Sequence, residues 1–175
     1  MKKLTIFFGV ALICSALAAG VSARTRAAHR APLAQDNETF THKEAGVQFQ
    51  LPKGWKAKPE GEVITVSSPD DALQVIFWVP DEESFDATVK DLDKELAKTI
   101  KNIKTTGKPT QDTHNGMAHY GETGTGEVEG ATIAWSVDVL AAKKPLIILT
   151  FAAPNLFEKH ADDYAKLVNS IKKIE

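Results

Sequence analysis

The first stretch of this sequence that could do chemistry is a glycine-rich run, GETGTGEVEG, at residues 121–130. Such a run invites comparison with phosphate-binding loops, which place glycines directly before a helix N-terminus. Here alternating residues on both sides predict a strand hairpin around Glu129-Gly130, and the lysine and hydroxyl of a Walker motif are absent. We therefore interpret the glycines at positions 121, 124, 126 and 130 as those of an exposed or closely packed strand pair.

Histidines are the next candidates, because imidazole binds metals and moves protons near neutral pH. His114 and His119 are five residues apart, which on a regular strand puts them on opposite faces, although Asn115-Gly116 between them can turn the chain. His42 and His160 have no further histidine at ligand spacing along their elements. This pattern favours structural or surface histidines, and the sequence predicts no metal site.

Pairs of adjacent aspartates, Asp70-Asp71 and Asp162-Asp163, could do acid–base chemistry. That chemistry needs two carboxylates in different environments, whereas adjacent acids in a turn or on a helix are solvated. No serine lies in a GxSxG elbow, and the single cysteine, Cys14, falls in the N-terminal apolar segment. The sequence therefore predicts no catalytic residue, no cofactor and no enzyme activity.

Aromatic residues are the remaining candidates for a binding site. Trp55 follows a Pro-Lys-Gly turn, and Trp78 lies on the minority face of an apolar strand together with Ile76. Either indole could line a groove between a sheet and a helix, and the alternative is that both belong to the core.

Charge argues against nucleic-acid binding. From Gln35 to the C-terminus, the chain has sixteen lysines and twenty-three acidic residues, which gives a net charge of −7. This part contains no arginine. Nucleic-acid binding requires a basic stripe, and bidentate recognition of phosphate requires arginine. We expect no nucleic-acid partner.

The N-terminal residues have the order of an export signal. Lys2 and Lys3 precede an uncharged run from Leu4 to Ala23 that contains small residues at cleavage-compatible positions. We expect residues 1–23 to be a signal peptide, which gives a periplasmic or extracellular location, with cleavage after Ala18, Ala19 or, preferably, Ala23.

A retained membrane anchor is the alternative for the same segment. An uncharged run of this length can span a bilayer, and the three arginines follow it directly, at Arg24, Arg26 and Arg30. In that case the N-terminal segment is the protein's contact with the membrane.

Residues 24–37 lack periodicity and predict a flexible linker, and residues 38–175 predict a single domain.

Periodicity in the domain predicts strands, a helix, more strands and a final helix. Phe85 and five later apolar residues up to Ile103 recur at helical spacing, and a capping-box pattern from Asn155 to Glu158 predicts the second helix. Hairpin signals rather than crossovers connect the strands, and the apolar runs 73–79 and 146–151 predict central strands. The fold class is therefore α+β: a mainly antiparallel sheet of about six or seven strands with helices packed on it.

The sequence also resembles the PsbP-like superfamily over about residues 38–174. The resemblance lies in the segment FQLPKGW at 49–55, the middle helix, the late strands and the ending YAKLVNSIK at 164–172. That superfamily includes an extrinsic subunit of photosystem II, a Ran-binding nuclear import factor and many exported bacterial proteins. The resemblance implies an α/β/α sandwich and an accessory or binding role, without a shared catalytic set.

These observations favour an exported accessory or binding protein of the cell envelope. It would recognise a protein partner through a sheet edge or an aromatic groove. A carrier or sensor of a small apolar ligand is the alternative, and an envelope hydrolase is the least favoured hypothesis.

Overall fold

The structure, a computed structural model, describes residues 38–174. The strands in this part are β1 (Thr39–His42), β2 (Val47–Gln50), β3 (Lys56–Glu60), β4 (Val63–Ser67), β5 (Leu73–Trp78), β6 (Lys101–Thr105), β7 (Thr110–His114), β8 (Met117–Val128), β9 (Ala131–Ala141), β10 (Pro145–Ala152) and β11 (Lys172–Lys173). The helices are α1 (Phe85–Leu96) and α2 (Ala161–Asn169). The predicted signal peptide or anchor and the predicted linker lie outside the described residues.

Strands form two antiparallel sheets. The main sheet has eight strands in the order β3-β4-β5-β10-β9-β8-β6, with β7 pairing with the first part of β8. The small sheet has the order β1-β2-β11. The main sheet is slightly larger than expected because neither the polar segment that forms β3 nor the segment that forms β6 was predicted as a strand. The predicted α+β class with a mainly antiparallel sheet is confirmed.

Strand β10 lies at the centre of the main sheet, as its apolar sequence predicts. All eight of its residues are buried, which requires cover on both faces. On one face Ile148 belongs to a cluster that includes Phe77 of β5, Phe49 of β2 and Leu167 of α2. The rings of Phe49 and Phe77 stack with their centroids 4.5 Å apart. This cluster holds α2 and the small sheet against the main sheet.

The opposite face of the main sheet is covered by α1. Leu92 and Leu96 of α1 are buried, and the helix contacts β9, whose residues Trp135 and Val137 are also buried. Each large side chain that is fully buried in this way contributes about 1.5–3 kcal/mol. The main sheet therefore lies between α1 on one side and α2 on the other, which is the expected sandwich.

Helix α1 is shorter than its apolar spacing predicts. It begins after Ser84, whose hydroxyl accepts a hydrogen bond from Ala87 N, and it ends at Leu96 rather than at Ile103. The chain leaves the helix and enters β6, where Asn102 takes a positive φ of 51°. The prediction for residues 97–103 was wrong because the helix gives way to a turn at residues 97–99, closed by the hydrogen bond from Ile100 N to the Leu96 carbonyl, and the chain then continues as β6.

Helix α2 also begins later than predicted. The capping-box pattern starting at Asn155 does not initiate a helix; a 3₁₀ turn forms at Glu158–His160, and α2 starts at Ala161 without a side-chain cap.

The two hairpin turns are where the sequence predicts them. Asn115-Gly116 joins β7 to β8 and Glu129-Gly130 joins β8 to β9, with all four residues at positive φ.

Candidate functional site

The glycine-rich run lies in β8 and makes room for a tryptophan. Trp135 of β9 is opposite Gly124, and a Cβ built on Gly124 would lie 2.4 Å from the indole and 2.3 Å from the carbonyl oxygen of Lys104. The indole N–H donates to the Thr125 carbonyl at 3.0 Å. The run continues into the β8–β9 hairpin and not into a helix. Its predicted role as a closely packed strand pair is confirmed.

The two tryptophans predicted to line a groove lie on opposite sides of the main sheet. Trp55 is buried in the cluster on the α2 side, where its ring contacts His160 edge-on at 6.0 Å between centroids. Trp78 alternates with Phe77 along β5 and therefore faces the α1 side. The structure does not bring the two indoles together, and the groove described below contains neither of them.

Two of the four histidines in residues 38–174 are held by structural contacts. His42 is buried; its Nδ1 accepts from Ala45 N, and its Nε2 donates to the Glu62 carbonyl at 2.8 Å. Burial lowers the pKa of His42, so the ring is neutral. The Nε2 of His160 lies 2.9 Å from a carboxylate oxygen of Asp70. Within residues 38–174, no group of three or more histidine, cysteine or acidic side chains is arranged to hold a metal ion.

His114 and His119 are brought to the same face by the hairpin turn, with ring centroids 6.3 Å apart. His119 is held between two carboxylates: its Nδ1 lies 2.6 Å from Asp112 of β7, and its Nε2 lies 2.8 Å from Asp138 of β9. The hydrogen bond to Asp138 and the one to Asp112 raise the pKa of His119 against the opposing effect of burial. The His119 ring therefore ties three strands together.

The contact between His119 and Asp138 depends on the small size of Gly121. Gly121 stands opposite Asp138, and a Cβ at this position would lie 3.2 Å from the His119 ring and 3.3 Å from the Asp138 carboxylate. The ring of His119 leans across Gly121 to reach Asp138. The cluster stabilises the β7–β8–β9 end of the sheet.

A groove of about 490 Å³ lies on the α1 side of this same end of the sheet. One wall is the first half of α1, which contributes the half-buried side chains Phe85 and Val89. The floor is β8, with the exposed Ala118 and the half-buried Tyr120. Burial, and then the nearby Glu122, raises the pKa of Tyr120 to about 12, so its hydroxyl stays neutral.

Strand β7 forms the open rim of the groove. In a hairpin closed by a two-residue turn, the closing pair, here His114 and Met117, exchanges hydrogen bonds, and the pairs then alternate. Gln111 and Thr113 are consequently at non-hydrogen-bonded positions. Their backbone N–H and C=O groups point away from β8 and toward solvent. Both side chains line the groove.

The edge at the other end of the main sheet is protected. Strand β3 carries Lys56, Lys58 and Pro59, and lysine and proline on an edge discourage pairing with another strand. Pro59 is one residue inside the Glu60–Val63 pair that closes the β3–β4 turn. This is a non-hydrogen-bonded position, where the missing N–H costs nothing. Strand β7, with the sequence TQDTH, contains neither lysine nor proline.

The residues of this candidate site were missed by the sequence interpretation, which considered the tryptophans instead. The available signal was the composition of β7, a strand before an Asn-Gly turn without a protecting lysine or proline. The position of α1 beside it depends on tertiary packing and leaves no local pattern.

Comparison with known proteins connects the domain with a fold. No protein-family model matches the chain, and no curated protein matches it. The solved structure of LpqN, involved in cell envelope biogenesis of Mycobacterium tuberculosis, is 10% identical over 82% of this chain and 86% of LpqN, with a TM-score of 0.51. CyanoP, the cyanobacterial PsbP of Synechocystis sp. PCC 6803, is 12% identical over 84% and 97%, with a TM-score of 0.54.

A third structure, PA94 from Pseudomonas aeruginosa, a protein of unknown function, is 14% identical over 77% of this chain and 94% of PA94, with a TM-score of 0.51. These proteins share the layered α+β arrangement described above. The domain therefore has the PsbP-like fold, as the resemblance in the sequence implies.

Proposed function

We propose that this protein is an exported accessory protein of the cell envelope. It acts by binding an extended segment of a partner protein at the free edge of β7, and not by catalysis. The observation that carries the proposal is the outward direction of the Gln111 and Thr113 backbone groups beside a groove. An added strand would extend the sheet there by main-chain hydrogen bonds, and the groove would receive its alternate side chains.

The envelope context is supported by the sequence and by the fold neighbours. The N-terminal pattern is that of an export signal, and LpqN, which shares the fold, is involved in cell envelope biogenesis. Neither helix of residues 38–174 is long and apolar enough to cross a membrane. The binding role is supported by the contrast between the two edges, because the protection on β3 is missing on β7.

The experiment is site-specific photocrosslinking of the full chain in its native host. A benzoylphenylalanine is placed at Thr113 and, as the matched control, at Lys58, which is exposed in the same way on the edge strand β3. We expect a discrete adduct from position 113 and none from position 58. Adducts of equal yield from both positions, or none from position 113, would contradict the proposal.

A proline variant tests whether the contact uses the backbone. Thr113→Pro removes a donor that β8 does not use, so we expect the adduct formed through a second photoprobe at Gln111 to fall at least about tenfold while the domain stays folded. Ala57→Pro makes the same change on β3 and should leave the adduct unchanged. Retention of the adduct by folded Thr113→Pro would show that the partner does not add a strand at β7.

A further inference from the structure

Resting on the proposed function, we infer that the β7 edge selects an extended segment of alternating character. In this segment, a basic residue stands opposite Asp112, with an apolar residue on each side of it. The motif follows from the face of the sheet toward which each residue of the partner strand points, and from the side chains of this domain that already lie on that face.

The pairing of a partner strand with β7 is determined by the β7 residues whose backbone groups do not bond to β8. A partner strand hydrogen-bonds to Gln111 and Thr113, and residues directly opposite each other in a sheet direct their side chains to the same face. Partner residues opposite Gln111 and Thr113 therefore point toward α1. The partner residue between them points to the other face, next to Asp112.

The α1 face favours apolar side chains at the two outer positions. Phe85 and Val89 provide the wall, and the aromatic body of Tyr120 provides part of the floor. The charged residues of this lining on α1, Asp86 and Lys90, have opposite signs and offset each other. Burial of an aliphatic residue against this surface is the larger favourable contribution.

The opposite face favours a basic side chain at the central position. The side chain of Asp112 is 58% exposed, and its carboxylate is one of two that share the single positive charge of His119. This cluster keeps a net negative charge whether His119 is protonated or neutral. A lysine or arginine opposite Asp112 would pair with it across the new ladder.

The same charge argues against a second copy of this chain as the occupant. Two β7 strands pairing in antiparallel register around their midpoints would place Asp112 opposite Asp112 of the other copy. Like charges directly opposite each other destabilise a sheet. The edge is thus open to a basic strand and disfavours pairing with itself, and a concentration-dependent dimer that Thr113→Pro abolishes would overturn the inference.

The test is an NMR titration of the full, mature chain with nine-residue peptides of central sequence Val-Lys-Val, Val-Glu-Val or Lys-Val-Lys. We expect the backbone amide signals of Gln111 and Thr113 to shift saturably with Val-Lys-Val. The other two peptides should bind at least tenfold more weakly. The variant Asp112→Lys should reverse the preference between the first two peptides.

Asp112→Asn keeps the side-chain shape and should remove the preference, which provides a second variant if Asp112→Lys does not fold. Asp86→Asn removes a carboxylate from the α1 face and should leave the preference for the central residue unchanged. Equal binding of Val-Lys-Val and Val-Glu-Val to the natural chain would overturn the alternating motif but leave strand addition intact. Absence of any shift at β7, together with an adduct that survives Thr113→Pro, would overturn strand addition itself.

Discussion

Substitution of Gly124 by alanine tests how closely β8 and β9 pack. The added Cβ would lie 2.3 Å from the Lys104 carbonyl oxygen and 2.4 Å from Cζ2 of Trp135. Ordinary van der Waals contact begins near 3.4 Å, so backbone and indole must each move by about 1 Å. Neither neighbour is the flexible end of a side chain, because Lys104 contributes backbone and Trp135 is only 2% exposed.

The expected cost is larger than the gain that alanine brings to the unfolded chain. Overpacking a filled core costs about 1–3 kcal/mol, and replacing glycine by alanine recovers about 0.4–1 kcal/mol through the entropy of the unfolded state. We expect Gly124→Ala to lower the free energy of unfolding by about 1–2 kcal/mol. For a domain of this size the Tm falls by roughly 4 °C for each kcal/mol.

Urea denaturation followed by tryptophan fluorescence measures this difference. Thr125→Ala is the matched control, because its side chain points to the other face of β8, and it should cost less than about 1 kcal/mol. In a double mutant cycle with Trp135→Leu, which removes the indole, we expect the cost of Gly124→Ala to shrink by at least 0.5 kcal/mol. A Gly124→Ala protein within about 0.5 kcal/mol of the natural chain would refute the close-packing argument.

Two further predictions concern the same end of the sheet. Because the pKa of His119 is raised in the folded state, its stabilising contribution is fully present below the ordinary value of 6.5 and is lost as pH rises through the folded pKa. Urea denaturation across this range should show that His119→Gln is less stable than the natural chain at low pH. The difference in the free energy of unfolding should shrink as pH rises. Asn115 donates to the carbonyls of Asn169 and Ile171 at 3.0 and 2.7 Å, so Asn115→Ala should cost about 1–3 kcal/mol. Asn115→Gly, which retains the positive φ preference, isolates the hydrogen-bond part, and an Asn115→Ala protein as stable as the natural chain would contradict this role.

Local signals predicted most of the fold. The Asn-Gly and Glu-Gly turns could be located because a positive φ selects residue types at single positions. The apolar run that becomes β10 predicted a central strand because burial on both faces leaves no polar residue in the pattern. The end of α1 could not be predicted, since Ile100 continues the apolar spacing of the helix and is buried, although it lies beyond the last helical residue, Leu96.

The candidate site depends on pairings that leave no local pattern. Asp138 lies 19 residues from His119 in the chain, and only the register of β8 with β9 brings its carboxylate to the ring. The groove forms because the first half of α1 lies beside β7 and β8. Trp55 and Trp78 were reasonable candidates from residue type alone, and the alternation along β5 puts Trp78 on the side of the sheet opposite to Trp55.

The central pair of the main sheet also determines the order in which the domain can assemble. Strand β5 ends at Trp78, and its partner β10 does not begin until Pro145. More than sixty intervening residues must be synthesised before the two can meet, so the growing chain has no complete nucleus for most of its synthesis. Folding that waits for such distant contacts is slow, in the range of milliseconds to seconds. The domain therefore cannot complete the centre of its main sheet until β10 has been synthesised.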